Sequence, residues 1–322
     1  MTFREHREWV AAENARRQEA GEDELPRLAI SFSGGRTSAV MTKLLWDAYK
    51  DSKNILITFA NTGCEHEATL DFVHECETRF GWPVVWLEAL VNPEKGKGIT
   101  HKVVDYATAS RNGEPFEAAI KKYGIFNKVS PNCTERLKVE VMNNFLSRHG
   151  FYRGKRLNYR TAIGIRGDEI DRVSQSAIEK IGAIYPLVDM RYNRRDVGLE
   201  IANWGFDLQI PGDHFGNCTW CWKKSLRKLM TVARQDPAAF DFPERMEREH
   251  GRDPINANRN GGRDCAHFFR EHMSTNELRK RAASTVFREY TDDAYEHGWE
   301  PGLDFSDGSC GESCEIGADL EY

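Results

Sequence analysis

One stretch near the start of the chain constrains fold and function more than any other. An apolar run from Leu28 to Phe32 leads into Ser33-Gly34-Gly35, and a helical pattern begins at Arg36. Glycines let backbone N–H groups approach a phosphate closely, and a helix N-terminus carries a partial positive charge. The stretch therefore predicts an anion-binding corner between a strand and a helix.

The side chains of this corner support a phosphate ligand. Ser33, Thr37 and Ser38 add hydroxyl donors, and Arg36 adds a charged planar fork suited to phosphate. The spacing is neither that of a Walker A loop nor G-x-G-x-x-G. An ordinary strand–turn–helix corner without a ligand is the alternative. The predicted phosphate contacts are Ser33, Gly34, Gly35, Arg36, Thr37 and Ser38.

Composition limits the class of protein. Of the 322 residues, 30% are charged and 40% hydrophobic, which is typical of a globular protein, and a net charge of −5 gives no overall electrostatic attraction to nucleic acid. No apolar run approaches the roughly 18 residues needed to span a bilayer. Residues 1–24 are charged throughout and lack the apolar segment of a signal peptide. We therefore expect a cytoplasmic protein with no membrane partner.

Strand and helix patterns alternate through the first two-thirds of the chain. This alternation predicts an α/β fold with a parallel sheet flanked by helices. Residues 92–130 show weak periodicity and are interpreted as a long excursion or lid. The predicted strands are Leu28–Phe32, Ile55–Ala60, Pro83–Leu90 and Tyr159–Ile165, and the predicted helices are Arg36–Tyr49, Glu67–Phe80 and Leu137–Phe145.

The chain divides into three parts by composition. The part from residue 236 onward is more polar; it contains a predicted helix from Leu278 to Tyr290 and ends in an acidic tail with Cys310 and Cys314. The predicted divisions are a polar N-terminal arm over 1–24, a nucleotide-binding domain over 25–235, and a small helical C-terminal region over 236–322.

Three polar turns follow predicted strands, at 33–38, 61–66 and 164–169. Ligands of parallel sheets bind at the carboxyl ends of the strands, so these turns are expected to converge. In the third turn Arg166 is suited to clamp a phosphate, and Asp168 or Glu169 to orient it or ligate Mg²⁺. The alternative is a surface loop of mutually paired charges. The nucleotide contacts predicted beyond the first turn are Asn61, Thr62, Gly63, Arg166 and Glu169.

Eight cysteines in a chain without an export signal favour metal binding or redox chemistry over a disulfide framework. Cys218 and Cys221 form a C-x-x-C pair, Cys133 follows a proline turn, and Cys265 is the best candidate for a fourth ligand. Thiolates suit both zinc and iron–sulfur clusters. A redox pair and a chance pair of buried cysteines remain alternatives.

The other cysteines carry weaker hypotheses. Cys64 follows the second turn and is either a reactive thiol beside the nucleotide or a small buried filler. Cys310 and Cys314 lie in an acidic segment, which does not activate a thiolate. They are interpreted as a mobile thiol pair, a partner cluster ligand or a disordered end.

Two basic runs suggest a nucleic-acid contact. Trp220 and Trp222 lie beside the second run, and interleaved aromatic and basic residues are typical of single-strand binders. A solvated helix face with two core tryptophans is the alternative. The runs are Arg191, Arg194 and Arg195, then Lys223, Lys224, Arg227 and Lys228.

Taken in order, these motifs resemble a known family. The Ser33–Ser38 loop resembles the PP-loop of the adenine nucleotide α-hydrolase superfamily, usually Ser-Gly-Gly-x-Asp-Ser, and within it the chain looks most like the phosphoadenylylsulfate (PAPS) reductase family. The segments 131–138 and 216–225 resemble the cysteine segments of its iron–sulfur members, so that matches run through about residues 28–230. Thr37 stands at the usual Asp, and a loop carboxylate that helps to hold Mg²⁺ is therefore not carried over.

The resemblance implies a PP-loop fold and an ATP pyrophosphatase or sulfurtransferase that binds ATP, with Mg²⁺, or a related adenine nucleotide. An acceptor oxygen attacks the α-phosphate, pyrophosphate leaves, and sulfur then displaces AMP, as in iron–sulfur tRNA thiolases and the ATP-pyrophosphatase of DNA phosphorothioation. Arg36, Arg166 and Asp168 are the predicted catalytic residues. The implied partners are a nucleic-acid acceptor or a sulfur-donor protein. With one close cysteine pair and two distant ones, the resemblance favours a [4Fe–4S] cluster on Cys133, Cys218, Cys221 and Cys265, with zinc as the alternative.

Two other functions fit the same pattern. One is thiol-dependent reduction of PAPS or adenylylsulfate, although Cys310-Gly311 matches the family's Glu-Cys-Gly-x-His segment weakly. The other is a nucleotide-binding regulatory protein without turnover, which the replacement of the loop Asp by Thr37 leaves open. The sequence predicts no oligomeric state.

Overall fold

The computed structural model describes residues 1–151, 158–257, 266–270 and 273–292, so that Cys265, Cys310 and Cys314 lie outside the described residues. The strands are β1 (Arg27–Ser31), β2 (Asn54–Asn61), β3 (Val84–Val91), β4 (Ile99–Val104), β5 (Tyr159–Ile163) and β6 (Ala183–Ile184). The helices are α1 (Phe3–Glu19), α2 (Arg36–Tyr49), α3 (Glu67–Phe80), α4 (Glu114–Tyr123), a π-helical turn (Glu135–Val139), α5 (Glu140–Arg148), α6 (Gln175–Ile181), α7 (Pro186–Asp189), α8 (Arg194–Ala202), α9 (Leu226–Gln235), α10 (Asp241–His250), α11 (Pro254–Ala257) and α12 (Thr275–Ser284).

The six strands form one sheet in the order β4-β3-β2-β1-β5-β6. Strand β1 pairs in parallel with β2 and with β5, where Ile30 lies opposite Ile57 and Ala162. Only β4 among the six runs antiparallel to its neighbour. The α/β fold with a mostly parallel sheet flanked by helices, predicted from the alternation, is confirmed.

The sheet is buried on both faces, which explains why its strands are nearly continuous apolar runs. All eight residues of β2 are buried. Successive side chains of β1 enter different cores: Leu28 and Ile30 pack in the core that α2 and α3 complete, whereas Ala29 packs in the core that α4 and α5 complete. The helices that follow β1 and β2 are therefore held at the carboxyl edge, where the polar turns begin.

The interpretation of residues 92–130 as a lid is wrong. This stretch contains edge strand β4 and helix α4, and Phe116, Ala119 and Ile120 of α4 are fully buried against the sheet. Strand β4 escaped the sequence pattern because an edge strand exposes one side, here with polar residues such as Thr100 and Lys102. The excursion is part of the folded core.

The C-terminal region is helical, as predicted, but the bounds of its last predicted helix are wrong. Helix α12 begins after Ser274, whose hydroxyl and Glu277 form a capping box, and it ends at Ser284 rather than at Tyr290. Tyr290 lies in a non-helical segment, and its backbone N–H donates to the hydroxyl of Thr231 in α9. Helices α9 and α12 share the core that also contains α4.

The N-terminal arm forms helix α1 and packs on the sheet. His6 and Val10 are its buried residues, and the ring Nε2 of His6 donates to the carbonyl of Ile55 at 2.9 Å. Burial lowers the pKa of His6. Within the part of the chain that the structure describes, no helix has the length and apolar character needed to cross a membrane.

Candidate functional site

The Ser33–Ser38 loop borders a small open cavity at the N-terminus of α2. Gly35 occupies the cap position of α2 and offers no side-chain hydrogen bond to the first turn. The start of this helix therefore opens toward the cavity, as expected for an anion site. This phosphate-loop cavity is lined by Ser33, Gly34, Gly35, Arg36, Thr69, Leu208, Ile210, Asp213, Gly216 and Asn217.

Gly34 is the residue on which the loop shape depends. Its φ is +83°, and a Cβ at this position would lie 2.7 Å from Cγ2 of Thr69 and 3.2 Å from the ring of Phe59. Both the backbone conformation and the packing against α3 exclude a side chain here. The fold of the loop therefore requires glycine at this position, in addition to the role in phosphate binding that the sequence predicts.

The loop hydroxyls differ in where they point. Ser38 is fully buried; its Oγ donates to the carbonyl of Gly35 at 2.9 Å and lies 2.9 Å from Oγ of Ser33. Thr37 is also buried and accepts from Nη1 of Arg166 at 3.3 Å. Ser33 lines the cavity, whereas the hydroxyls of Ser38 and Thr37 form hydrogen bonds within the protein that stabilise the loop.

The guanidinium of Arg36 lies at the cavity wall, but its planar fork is occupied. Nε and Nη2 donate to the two carboxylate oxygens of Asp207 at 2.7 and 3.1 Å, and Nη2 also donates to the carbonyl of Leu208 at 2.7 Å. Nη1 lies 3.7 Å from the buried carboxylate of Asp213. Sequence reasoning missed both aspartates, because nothing in the 203–213 coil marks them as partners of a residue so distant in the chain.

The first and third turns meet, as predicted. Arg166 is nearly buried, and it bridges the turns by donating to Thr37 and to Asp168, with 3.0 Å from Nε to Oδ1. Glu169 accepts from the backbone N–H of Arg166 and from the guanidinium of Arg172. The carboxylates of Asp168 and Glu169 are therefore paired with nearby arginines. This agrees with the alternative interpretation of the turn as a loop of mutually paired charges.

The second turn borders the cysteine segment. The amide of Asn61 donates to Glu88 at 2.8 Å and to the carbonyl of Ser110 at 2.9 Å. Thr62 Oγ1 lies 3.4 Å from Sγ of Cys218, and Glu65 pairs with Cys218 as an isolated β-bridge. Gly63, with φ +78°, packs on the backbone of Gly113. The three turns follow neighbouring parallel strands in the order β2-β1-β5, so they begin at the same edge of the sheet, as predicted.

Three predicted metal ligands lie around a second small cavity. Tertiary folding brings Cys133 to the C-x-x-C pair, as the sequence predicted. This cysteine cavity is lined by Thr62, Phe116, Cys133, Thr134, Leu137, Lys138, Asn217, Cys218, Trp220, Cys221 and Trp222. Apart from Lys138 its wall is dominated by apolar and aromatic side chains.

The donor set fits a metal centre that takes thiolate ligands. Cys133, Cys218 and Cys221 all line this cavity. Four thiolates can hold one zinc ion. Several soft thiolates spread around an apolar cavity are the ligands that iron–sulfur clusters take.

Cys64 is a buried filler, the second of its two interpretations. Burial raises the pKa of its thiol, and the neighbouring Cys218 and Glu65 raise that pKa further. A thiol that resists ionisation in this way is a poor nucleophile. The carbonyl of Cys64 has a structural task, because it accepts from the N–H of Thr219 at 3.0 Å.

The second basic run does not form a stacking surface. Trp220 and Trp222 are buried, and Trp220 packs against the rings of Phe116, Phe242 and Phe268. Lys224, within the run, is 3% exposed and donates to backbone carbonyls. The tryptophans are core residues, as the alternative interpretation proposed. They are therefore not exposed for stacking with nucleic-acid bases.

Comparisons with known proteins agree with the motifs. The family model for the phosphoadenosine phosphosulfate reductase domain matches residues 27–182. The uncharacterized nin region protein ORF290 of Escherichia phage lambda is 32% identical over 300 residues, which cover 91% of this chain and 96% of that protein.

Two solved structures were also matched. Phosphoadenylyl-sulfate reductase from Candida auris, in a phosphate complex, has a TM-score of 0.35 and 15% identity over 65% of this chain and 82% of that one. The U34-tRNA thiolase NcsA from Methanococcus maripaludis, with its [4Fe-4S] cluster, has a TM-score of 0.33 and 16% identity over 75% of this chain and 80% of that one.

Proposed function

This chain belongs to the phosphoadenosine phosphosulfate reductase family, and we propose that it is an enzyme that binds ATP or a related adenine nucleotide at the phosphate-loop cavity and uses the cysteine cavity in sulfur transfer. One observation carries the proposal. Asn217 lines both cavities, and the segment from Gly216 to Cys221 runs from one to the other. A nucleotide site and a set of thiols are therefore neighbours.

The phosphates bind at the start of α2, where Gly34 and Gly35 give the backbone access and Ser33 offers a hydroxyl. Arg36 brings a positive charge to the lining of this cavity, and it contacts phosphate once it exchanges Asp207 for the ligand. Arg166 supports the loop from behind through Thr37. Mg²⁺ enters with ATP, as part of the substrate.

An acceptor oxygen attacks the α-phosphorus, the bond to the bridging oxygen breaks, and pyrophosphate leaves with the electron pair. Hydrosulfide supplied by a sulfur-donor protein then bonds to the activated acceptor carbon, the carbon–oxygen bond breaks, AMP leaves with that electron pair, and the proton of the hydrosulfide passes to solvent. Fixed N–H groups and Arg36 stabilise the charge that develops on the phosphoryl oxygens, and Asp168 keeps Arg166 oriented. Catalysis in such a site comes from positioning and charge stabilisation.

Cys133, Cys218 and Cys221 are the described residues that would hold a [4Fe–4S] cluster, and Cys265 is the proposed fourth ligand. When bound, such a cluster supplies iron that can bind sulfur or exchange electrons. The protein contributes an apolar wall, with Trp220 and Trp222 excluding water, and the buried pair of Lys138 with Glu65 at 3.7 Å.

The test combines two measurements on anaerobically purified protein. We expect pyrophosphate release from ATP that depends on added nucleic acid, together with iron and a broad visible absorbance. Zinc without iron would refute the cluster, and ATP hydrolysis that ignores every acceptor would refute the sulfur-transfer step.

The match of the family model to residues 27–182 favours a second candidate, reduction of PAPS or adenylylsulfate. The sulfonucleotide would occupy the same phosphate-loop cavity, and a cysteine thiolate would attack its sulfate sulfur. Sulfite release from PAPS with thioredoxin, abolished in Cys310→Ser, would establish this reaction in place of the first.

A further inference from the structure

The ammonium group of Lys224 lies beneath the segment that joins the two cavities. Its side chain is almost completely buried, and Nζ donates to three backbone carbonyls: His214 at 2.7 Å, Thr219 at 2.7 Å and Cys218 at 3.0 Å. A buried ammonium is tolerated when its donors are satisfied, and here three N–H groups meet three acceptors. Lys224 therefore belongs to the internal frame of the site.

The three carbonyls belong to residues that line the two cavities or directly neighbour their lining in the chain. His214 lies in the short turn Asp213–Phe215, and Asp213 lines the phosphate-loop cavity. Cys218 lines the cysteine cavity, and Thr219 follows it. Lys224 thus holds both ends of one short segment, which is called the bridge segment here and comprises residues 213–219.

The middle of the bridge segment is the part that faces the nucleotide. Gly216 and Asn217 line the phosphate-loop cavity, and Asn217 adopts φ +59°, the left-handed region that non-glycine residues rarely occupy. The far end is fixed to the second turn, because the N–H of Thr219 donates to the carbonyl of Cys64 at 3.0 Å. A ligand that presses on Gly216 and Asn217 therefore displaces a segment that is held at both ends.

We propose that Lys224 is a positioning residue that couples the two cavities: occupancy of the phosphate-loop cavity moves the bridge segment as a unit and changes the access to the Cys218 thiol. The coupling rests on the proposed function. Hydrogen bonds from a charged donor are stronger than neutral ones, so the three bonds of Lys224 make the bridge segment respond as a whole. Without the ammonium, displacement at Asn217 is absorbed locally.

The test uses the full chain in metal-free, reduced form. The rate at which N-ethylmaleimide modifies Cys218 is measured by peptide mass spectrometry with and without ATP, and ATP affinity is measured separately by calorimetry. In the wild type we expect ATP to change the modification rate about five-fold or more, the lower end of typical couplings between sites.

Lys224→Met removes the donors and keeps the length of the side chain. We expect it to bind ATP within a few-fold of the wild type while the effect of ATP on Cys218 disappears, and we expect Lys224→Arg to restore part of it. Lys223→Met is the matched control, since Lys223 lies over the Trp222 ring on the outer side of the same turn; it should keep the full effect.

Three outcomes would overturn the proposal. Lys224→Met could bind ATP and keep the full effect on Cys218, which would leave Lys224 a purely structural residue. The wild type could bind ATP without any change at Cys218, which would refute the coupling and leave the nucleotide site intact. A wild type that binds no ATP would refute the proposed function as well.

If Lys224→Met fails to fold, the wild type alone still tests the coupling. Modification of Cys218 traps the arrangement of the bridge segment in which this thiol is accessible, so ATP affinity should fall after modification if ATP protects Cys218 and rise if ATP exposes it. Equal ATP affinity before and after modification would refute the coupling.

Discussion

The two cavities meet at Asn217, but they are built in different ways. Four consecutive residues, Ser33 to Arg36, form the floor of the phosphate-loop cavity, and its outer wall carries charged side chains such as Asp213. The cysteine cavity is assembled from the second turn, the turn at Cys133 and the C-x-x-C segment, and its wall is largely apolar. A local motif supplies most of the proposed phosphate contacts, whereas the proposed thiol ligands come together only in the folded chain.

The largest effect is expected at Gly34. Gly34→Ala places a Cβ 2.7 Å from Thr69 at φ +83°, so the loop must shift. We expect ATP affinity to fall at least about 100-fold and the free energy of unfolding to fall by about 1–3 kcal/mol. Calorimetric titration and thermal unfolding measure the two effects.

Gly96→Ala is the matched control, because Gly96 also has φ +83° but nothing lies within 4 Å of its Cβ position. Backbone strain should lower the free energy of unfolding of Gly96→Ala, but its ATP affinity should stay that of the wild type. Equal loss in both variants would mean that the phosphate-loop cavity is not where ATP binds.

The next effect concerns the cysteine cavity. Cys133→Ser, Cys218→Ser and Cys221→Ser each remove one proposed ligand, and we expect the iron content of anaerobically purified protein to fall by at least about half, since each thiolate contributes directly to cluster binding. ATP affinity should change far less, which separates the two cavities. Cys76→Ala, in the core on the opposite side of the sheet, serves as the control and should retain iron.

A smaller effect of opposite sign is expected at Asp207. Asp207→Asn frees the fork of Arg36 from a carboxylate, so that phosphate no longer competes with it. The side chain of Asp207 is 41% exposed, and exposed pairs contribute about 0.2–1 kcal/mol, so ATP affinity should rise by at most about five-fold. Asp47→Asn, which alters a surface pair on the same helix, should leave it unchanged. Weaker binding in Asp207→Asn would show instead that Asp207 positions Arg36.

The smallest effect lies outside both cavities, at His6. Burial lowers the pKa of His6 from 6.5, so the unfolded chain binds a proton more readily than the folded one. Stability is therefore full above about pH 6.5 and declines as the pH falls, until the pH passes the folded-state pKa. Urea unfolding is measured between pH 7.5 and 5. The free energy of unfolding should decline less steeply with falling pH in His6→Gln than in the wild type, and glutamine keeps an N–H donor for the carbonyl of Ile55. An identical decline in both proteins would assign the effect to other groups.

Patterns of short range predicted the fold well. Helices Arg36–Tyr49 and Glu67–Phe80 begin and end as predicted, because apolar periodicity and the glycines that end or precede them are local signals. Strand β4 was missed because an edge strand has only one apolar side. Helix α4 was missed because it lies in the same stretch of weak periodicity, residues 92–130. The meeting of Cys133 with the C-x-x-C pair was predicted from the proline turn before Cys133 together with the resemblance, and the structure places all three cysteines around one cavity.

The sequence by itself determined the Ser-Gly-Gly loop between strand and helix, the parallel sheet and the cysteines proposed as ligands, because each depends on residue type and on spacing along a few turns of chain. Only the tertiary structure decided that Asp207 and Asp213 face Arg36, that Trp220 is a core residue, and that Lys224 lies between the cavities. The physical reason is that a charged group takes its partner from whatever lies within a few ångströms of it in space. That distance is set by how β1, α2 and the bridge segment pack, and it leaves no mark in the order of residues along the chain.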